Sequence, residues 1–323
     1  MGPSLAYLIV IAVWATTPLA IKISSQGFSP LAAASMRFVL ASLLACVIVA
    51  LVCHRSGLKR RHWKAYAAAS LSIFPNMPLV YLATTYISSG LVSVMFATAP
   101  LIMGLLSVLI LKKNPFTPLR LLGLGISLSG LMLISYAQFG AGDARYIGIL
   151  LMIGSTVLFS LSNILLKKMD TSAIDPLEQS LGAMVFALPG LLLCWYVLDG
   201  QIPAMTLGAA SAAIVYLATV GSLLGFMAFY YVLRQLPFEV VGLVPLITPV
   251  LAMFLGVLLA GESIGRELQQ GSLLILTGLA VYEFLPGVLR RLRGKTGTDT
   301  AIAGANRKPL VVVGGGVGAA QNQ

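Results

Sequence analysis

The chain reads VSVMFATAPLIMGLLSVLILKKN over residues 92–114 and VGLVPLITPVLAMFLGVLLAGES over residues 241–263. Each stretch is a long apolar run with a threonine and a proline near its middle, Thr98 with Pro100 and Thr248 with Pro249. Each closes on a small polar or charged cluster. Pro249 falls 149 residues after Pro100 in a chain of 323. A run of about 20 apolar residues, at about 1.5 Å per residue, covers the roughly 30 Å hydrocarbon core of a bilayer. Two such runs, written alike, point to a membrane protein whose halves repeat each other.

Composition agrees. Hydrophobic residues make up 58% and charged residues 10%, against roughly 25% charged in an average soluble domain. The mean hydropathy is +0.95, so part of the solvent must be lipid. Apolar runs fall near 5–23, 31–53, 65–83, 90–111 and 119–139, then near 146–166, 177–198, 212–232, 240–260 and 270–289. Ser29-Pro30, Asn114-Pro115, Asp175-Pro176 and Gly261 are among the break signals between them. The first run lacks a basic n-region and is long enough to span, so it reads as a membrane helix and not a cleaved signal. Cys46, Cys53 and Cys194 lack CxxC spacing and read as small hydrophobes. His54 and His62 belong to a basic loop, and no metal-binding motif or cofactor is expected.

The net charge of +11 is a topology signal, not a nucleic-acid footprint. With the amino terminus inside, 17 of the 21 Lys and Arg fall on inner loops and the tail, leaving Lys22, Arg37, Arg145 and Arg266 outside. The positive-inside rule then places both termini in the cytoplasm.

The alignment of halves extends further. Tyr81 matches Tyr230 at the same 149-residue offset, and Lys113 matches Glu262. Gly123 and Gly130 match Gly271 and Gly278, one residue shorter. Trp14 precedes Lys22 by eight residues, as Phe159 precedes Lys167. Five spans per half is an odd number, so the second half enters from the opposite side. The expected fold is an all-α integral membrane protein of ten transmembrane helices in two inverted five-helix repeats, residues 1–140 and 141–290. A flexible cytoplasmic tail, 291–323, follows. Inverted repeats recur in secondary transporters, because exchanging the conformations of the halves gives two access states of one site.

The sequence resembles the EamA-like branch of the drug/metabolite transporter superfamily. The likeness rests on Trp14 with Lys22, Ser29-Pro30 followed by Arg37-Phe38, SSGLVSVMFATAPL (88–101), LLGLGISLSG (121–130) and PLITPVLAMFLGVLLAGESI (245–264). It covers roughly residues 4 to 290. Where family members usually carry an acidic residue after the fourth span, this chain has Lys112-Lys113; Glu262 stands after the ninth. The resemblance implies ATP-independent export of amino acids and related metabolites, or movement of other small solutes.

Transporter sites of this kind lie near the midplane. Depth along the spans nominates Trp14, Asn76, Tyr81, Thr98, Phe159, Ser160, Asn163, Thr219, Phe226, Tyr230 and Thr248 for the substrate. Pro100 and Pro249 are expected to kink spans four and nine and free a carbonyl toward a polar cavity. Asn76 heads the polar set because an amide both donates and accepts. Arg37, about two turns into span two, is a functional candidate by default, but the structural reading is preferred, snorkelling outward or bracing helix ends, since span two is not expected to face the cavity. Glu283 is the one carboxylate well inside a span, near its inner end.

The expected protein is an inner-membrane exporter of amino acids or amino-acid-derived metabolites working by alternating access. The alternative is a facilitative importer or exchanger of another small neutral solute, such as a vitamin or drug-like compound. An enzyme is not expected, because no nucleophile–base pair, metal set or carboxylate pair is assembled. The expected partners are a small-molecule substrate and the lipid bilayer, with no nucleic acid, and the chain is expected to act as a monomer.

Overall fold

The computed structural model describes residues 2–51, 58–112, 114, 116–139, 145–169, 171, 174–200, 208–236, 244–262 and 265–294. The expected tail beyond Gly294, the boundary at residues 140–141, Cys53, His54 and Lys113 lie outside the described residues.

Every element among the described residues is helical. In order they are α1 (Pro3–Ser24), α2 (Pro30–Leu51), α3 (Trp63–Ser70), α4 (Asn76–Ala83), α5 (Ser89–Phe96), α6 (Ala99–Ile110) and α7 (Pro118–Phe139). Then come α8 (Arg145–Met169), α9 (Pro176–Leu198), α10 (Ala209–Tyr216), a π-helical segment (Leu217–Leu224) and α11 (Gly225–Gln235). The last two are α12 (Val244–Ala260) and α13 (Arg266–Gly294). Among the described residues seven stretches are long and apolar enough to cross a membrane, and Pro118–Ile134 and Ile247–Ala260 are shorter apolar helices.

The starts follow local chemistry. Proline opens α1, α2, α7 and α9, where its missing N–H costs nothing because first-turn donors have no intrahelical partner. Asp175 caps α9 by accepting from the Leu177 N–H at 3.0 Å, and Ser88 caps α5 by accepting from Leu91 at 3.2 Å.

Three expected spans are interrupted. The run at 65–83 breaks between α3 and α4, with Pro75 at the cap of α4. The run at 90–111 breaks at Ala97-Thr98, and Pro100 is the second residue of α6. Pro100 thus falls in the first turn of α6, where its missing donor has no intrahelical partner to lose, and the span it is expected to kink is interrupted just before it. Pro249 does lie inside a helix, α12. The π-helical widening interrupts the run at 212–232.

Repeat-matched residues meet in packing. A Cβ on Gly123 would lie 2.6 Å from the Gly278 carbonyl oxygen, and one on Gly130 would lie 2.6 Å from that of Gly271. Gly123 matches Gly271 and Gly130 matches Gly278, so α7 and α13 touch reciprocally, as elements related by a two-fold axis do. Only glycine permits that approach. The ends of α6 and α12 also correspond. Lys112 has φ 53° and Gly261 has φ 63°, and the two stand 149 residues apart. Both helices thus close through a left-handed residue, the usual C-terminal stop.

Candidate functional site

A cavity of about 980 Å³ opens inside the bundle, large enough for a small-molecule ligand. One face of α1 and one face of α8 supply matched walls. Trp14, Pro18 and Ile21 line it from α1, and Phe159, Asn163 and Leu166 line it from α8. Both sets follow the i, i+4, i+7 spacing of a single helical face. Met77 and Val80 of α4 and Phe226 and Phe229 of α11 also line it, and these pairs keep the 149-residue offset.

Aromatic rings form a continuous chain along the wall. Phe96 meets Phe159 edge-on at 5.9 Å between centroids, and Phe159 meets Trp14 edge-on at 6.1 Å. Trp14 lies 4.8 Å from Phe229, Phe229 5.7 Å from Tyr230, and Tyr230 stacks on Phe226 at 6.3 Å. All six line the cavity. Ring pairs of this kind add about 0.5–1.5 kcal/mol each beyond their burial, so the wall is stiff as well as apolar.

The cavity's two ends differ. At one end it reaches the exposed Lys167 and Gln235, with Arg120 nearby on the first turn of α7. At the other it stops at the buried Ile21 and Arg37. That closed end is tied by Glu262. Lys22 Nζ donates to its Oε1 at 2.7 Å, the Ser89 N–H donates to Oε1 at 3.0 Å, and Ser89 Oγ donates to Oε2 at 2.9 Å. Ser29 Oγ donates to Asp199 Oδ2 at the same end. Burial pushes the Glu262 carboxyl up, but the Lys22 ammonium and the two Ser89 donors outweigh it and hold the group below the usual carboxylate range. The turn at Gly261 aims the carboxylate inward from the end of α12.

Of the nominated residues, Trp14, Phe159, Asn163, Phe226, Tyr230 and Thr248 line the cavity, as does Pro100. Five others do not. Asn76 is fully buried beside it: Nδ2 donates to the Ser72 carbonyl at 2.7 Å and Oδ1 accepts from Ser155 Oγ. Its amide is consumed in joining α4 to α8. Thr98 Oγ1 turns back to the Met95 carbonyl at 2.7 Å, and Thr219 Oγ1 to that of Val215 at 2.7 Å. Ser160 Oγ donates to the Ala99 carbonyl at 3.2 Å, bridging α8 to the break before α6. Tyr81 is fully buried next to Arg37 and Ser24. Pro249 is buried in α12, off the cavity. The Glu283 side chain lies outside the described residues.

Depth along a span was legible, but which face turned inward was not. Phe96 and Phe229 were therefore missed, and Arg37 was assigned away from the cavity that it lines. The π-helical segment carries Gly221 and Ser222 to Arg37, whose Nε donates to Ser222 Oγ at 2.8 Å. That contact draws α2 into the wall.

An all-helical bundle with several bilayer-length apolar helices around a ligand-sized cavity is a multi-pass membrane carrier in form. The EamA-like transporter family matches residues 2–136 and again 146–283, and the chain belongs to that family. An uncharacterized transporter of Archaeoglobus fulgidus is 28% identical over 280 residues, covering 84% of this chain and 95% of its own. YedA of Escherichia coli K12, described as an uncharacterized inner membrane transporter, is 24% identical, covering 79% of this chain and 81% of its own. PagO of Salmonella typhimurium is 24% identical over 90% of this chain and 94% of its own. One crystal structure superposes with a TM-score of 0.63 over 88% of this chain and 98% of its own; at 18% identity it speaks for the fold alone. The protein is thus a membrane transporter of small molecules, not an enzyme.

Proposed function

We propose that the chain is an inner-membrane secondary transporter that exports amino acids or amino-acid-derived metabolites by alternating access. In this reading, residues 1–140 and 141–290 form two inverted halves, and both termini lie in the cytoplasm. The observation that carries it is the cavity wall. Positionally matched faces of α1 and α8, and of α4 and α11, line one shared cavity, as two inverted halves around a single site would. The reciprocal glycine contact between α7 and α13 supports the same relation. In this orientation the Lys167 end faces the cytoplasm and the Lys22 end the outside, so the conformation is inward-open. Export then begins with cargo entering past Lys167 and ends when the Glu262 tie releases. An aromatic wall interrupted by Ser93, Asn163 and Thr248 suits amphipathic cargo with a polar head.

Counterflow tests the proposal. Purified protein is reconstituted in liposomes preloaded with each common amino acid in turn, and entry of the labelled counterpart is followed. Saturable, trans-accelerated exchange of at least one is expected. Uptake no faster than in protein-free liposomes across the whole panel would exclude amino acids as cargo.

A further inference from the structure

Among the described residues Arg37 is the one charged residue in the set of largest fully buried side chains, 2% exposed, and it forms part of the cavity wall at the closed end. Its surroundings are sparse. Nε donates to Ser222 Oγ at 2.8 Å, and the guanidinium stands 4.9 Å from the Phe38 ring centroid. Gly221 leaves room beside Nη2, to which a Cβ there would come within 3.5 Å. Nη1 is buried and has no hydrogen-bond partner among the described residues. The Tyr81 hydroxyl lies next to the guanidinium and is also buried without a hydrogen bond of good geometry.

A charge at this depth is expensive unless paired, and a charged group inside a membrane protein is by default a functional one. A brace between α2 and the π-helical segment needs one hydrogen bond to Ser222, which an uncharged amide would supply without the desolvation of a cation. The rest of the cavity adds to the asymmetry. Among the described residues lining it are Arg37, Arg120 and Lys167, and no Asp or Glu. Arg120 and Lys167 stand toward the open end and Arg37 at the closed end, with the aromatic chain between. That order places basic side chains at the mouth, then an apolar shelf, then a buried guanidinium. Such an order suits an anion with an apolar body.

We propose that Arg37 is a cargo-binding residue whose guanidinium docks a carboxylate at the closed end of the cavity, while the rings from Phe96 to Phe226 hold the apolar part of the molecule. The cargo class is therefore a small monocarboxylate, zwitterionic or anionic, with an aromatic or aliphatic body. This rests on reading the cavity as the transport pathway, and it narrows the cargo within that reading. Ser222 acts as a positioning residue, holding the guanidinium through Nε at the cavity wall.

The test uses benzoate and benzamide, which share a ring and differ in the charge of the head. Binding to the purified, detergent-solubilised protein is read from thermal stabilisation over a concentration series, at constant chloride and pH 7. The wild type should bind benzoate at least about ten-fold more tightly than benzamide, the scale of one charge-assisted hydrogen bond in a desolvated site. Arg37→Gln should remove that preference, lowering benzoate affinity by at least about ten-fold more than benzamide affinity. Arg37→Lys keeps the positive charge for a fold that will not tolerate its loss, and should weaken benzoate binding several-fold because an ammonium lacks the planar fork. Equal binding of the two probes by the wild type would overturn the proposal, as would an unaltered benzoate preference in either variant. Counterflow in the same preparation separates the two readings. Benzoate preference that depends on Arg37, without amino-acid exchange, leaves the carboxylate site standing and removes amino acids as cargo. Amino-acid exchange without the preference does the reverse.

Discussion

Lys22 and Glu262, 240 residues apart in the chain, form an ion pair at 2.7 Å that joins α1 to the loop after α12. Glu262 also receives both Ser89 donors, so one carboxylate ties three elements at the closed end of the cavity. Glu262→Gln weakens that tie, because an amide neither attracts the ammonium nor accepts on both sides. A cysteine replacing Ile21, now 1% exposed just inside the tie, should then be labelled several-fold faster by a maleimide in an otherwise cysteine-free protein. Unchanged labelling would mean that apolar packing alone seals this end.

The same pair sets a pH dependence. Glu262 sits below its ordinary value of 4.5. A lowered folded-state value means that the stabilisation is complete above about 4.5 and is lost as the pH falls through the lowered one. Because only the thiolate reacts, labelling of the Ile21→Cys protein is divided by that of a free cysteine at each pH; this ratio should be flat from about pH 8 to about pH 5 and rise only at more acid pH. A rise centred near neutrality would point to a different titrating group.

Gly278→Ala should disturb folding more than an average surface change. Its Cβ would meet the Gly123 carbonyl oxygen at 2.5 Å and press on the Ser127 hydroxyl, in contacts made by backbone that cannot rotate away. Overpacking of this kind costs about 1–3 kcal/mol. The melting temperature and the yield of monodisperse protein should both fall. Gly125→Ala, with nothing within 4 Å of its Cβ, is the control and should be neutral or better.

Lys112→Gly should stabilise. Lys112 is the one non-glycine residue with positive φ among the described residues, and a left-handed conformation costs an ordinary L-residue about 1–2 kcal/mol. Glycine already fills the matching position at 261. Part of the gain is offset by the greater freedom of the unfolded chain, so the net is about 1 kcal/mol or less, read as a small rise in melting temperature with transport unchanged.

Asn76→Ala and Trp14→Ala should separate structure from transport. Removing the Asn76 amide leaves the buried Ser155 hydroxyl without its acceptor, at a cost of about 1–3 kcal/mol. Folded protein and transport should then fall together. Trp14 is half-buried on the cavity wall, so its replacement should lower transport per folded molecule by more than it lowers the amount of folded protein. The opposite pattern would return Asn76 to the cargo site.

Residue by residue, the sequence determined what one-dimensional patterns can carry. Bilayer-length apolar runs are set by counting, because lipid demands satisfied backbone over a fixed thickness. The doubling is equally legible: Pro100 with Pro249, and Gly123 and Gly130 with Gly271 and Gly278, stand at constant offsets. So are Trp14 and Phe159, whose equal spacing from Lys22 and Lys167 put them at matching depths, and the structure brings them together on one wall. Which side of each helix faces the cavity was decided only in three dimensions. In spans this uniformly apolar there is no polar face to mark the rotation, so Asn76 was nominated for the cargo and Arg37 was set aside as a structural residue. Tertiary packing gave Asn76 a partner in Ser155 and turned Arg37 into the wall, through a π-helical segment that no local pattern announces. The pairing of Lys22 with Glu262 is likewise a product of the assembled fold, because a contact across 240 residues leaves no trace in the spacing of either partner.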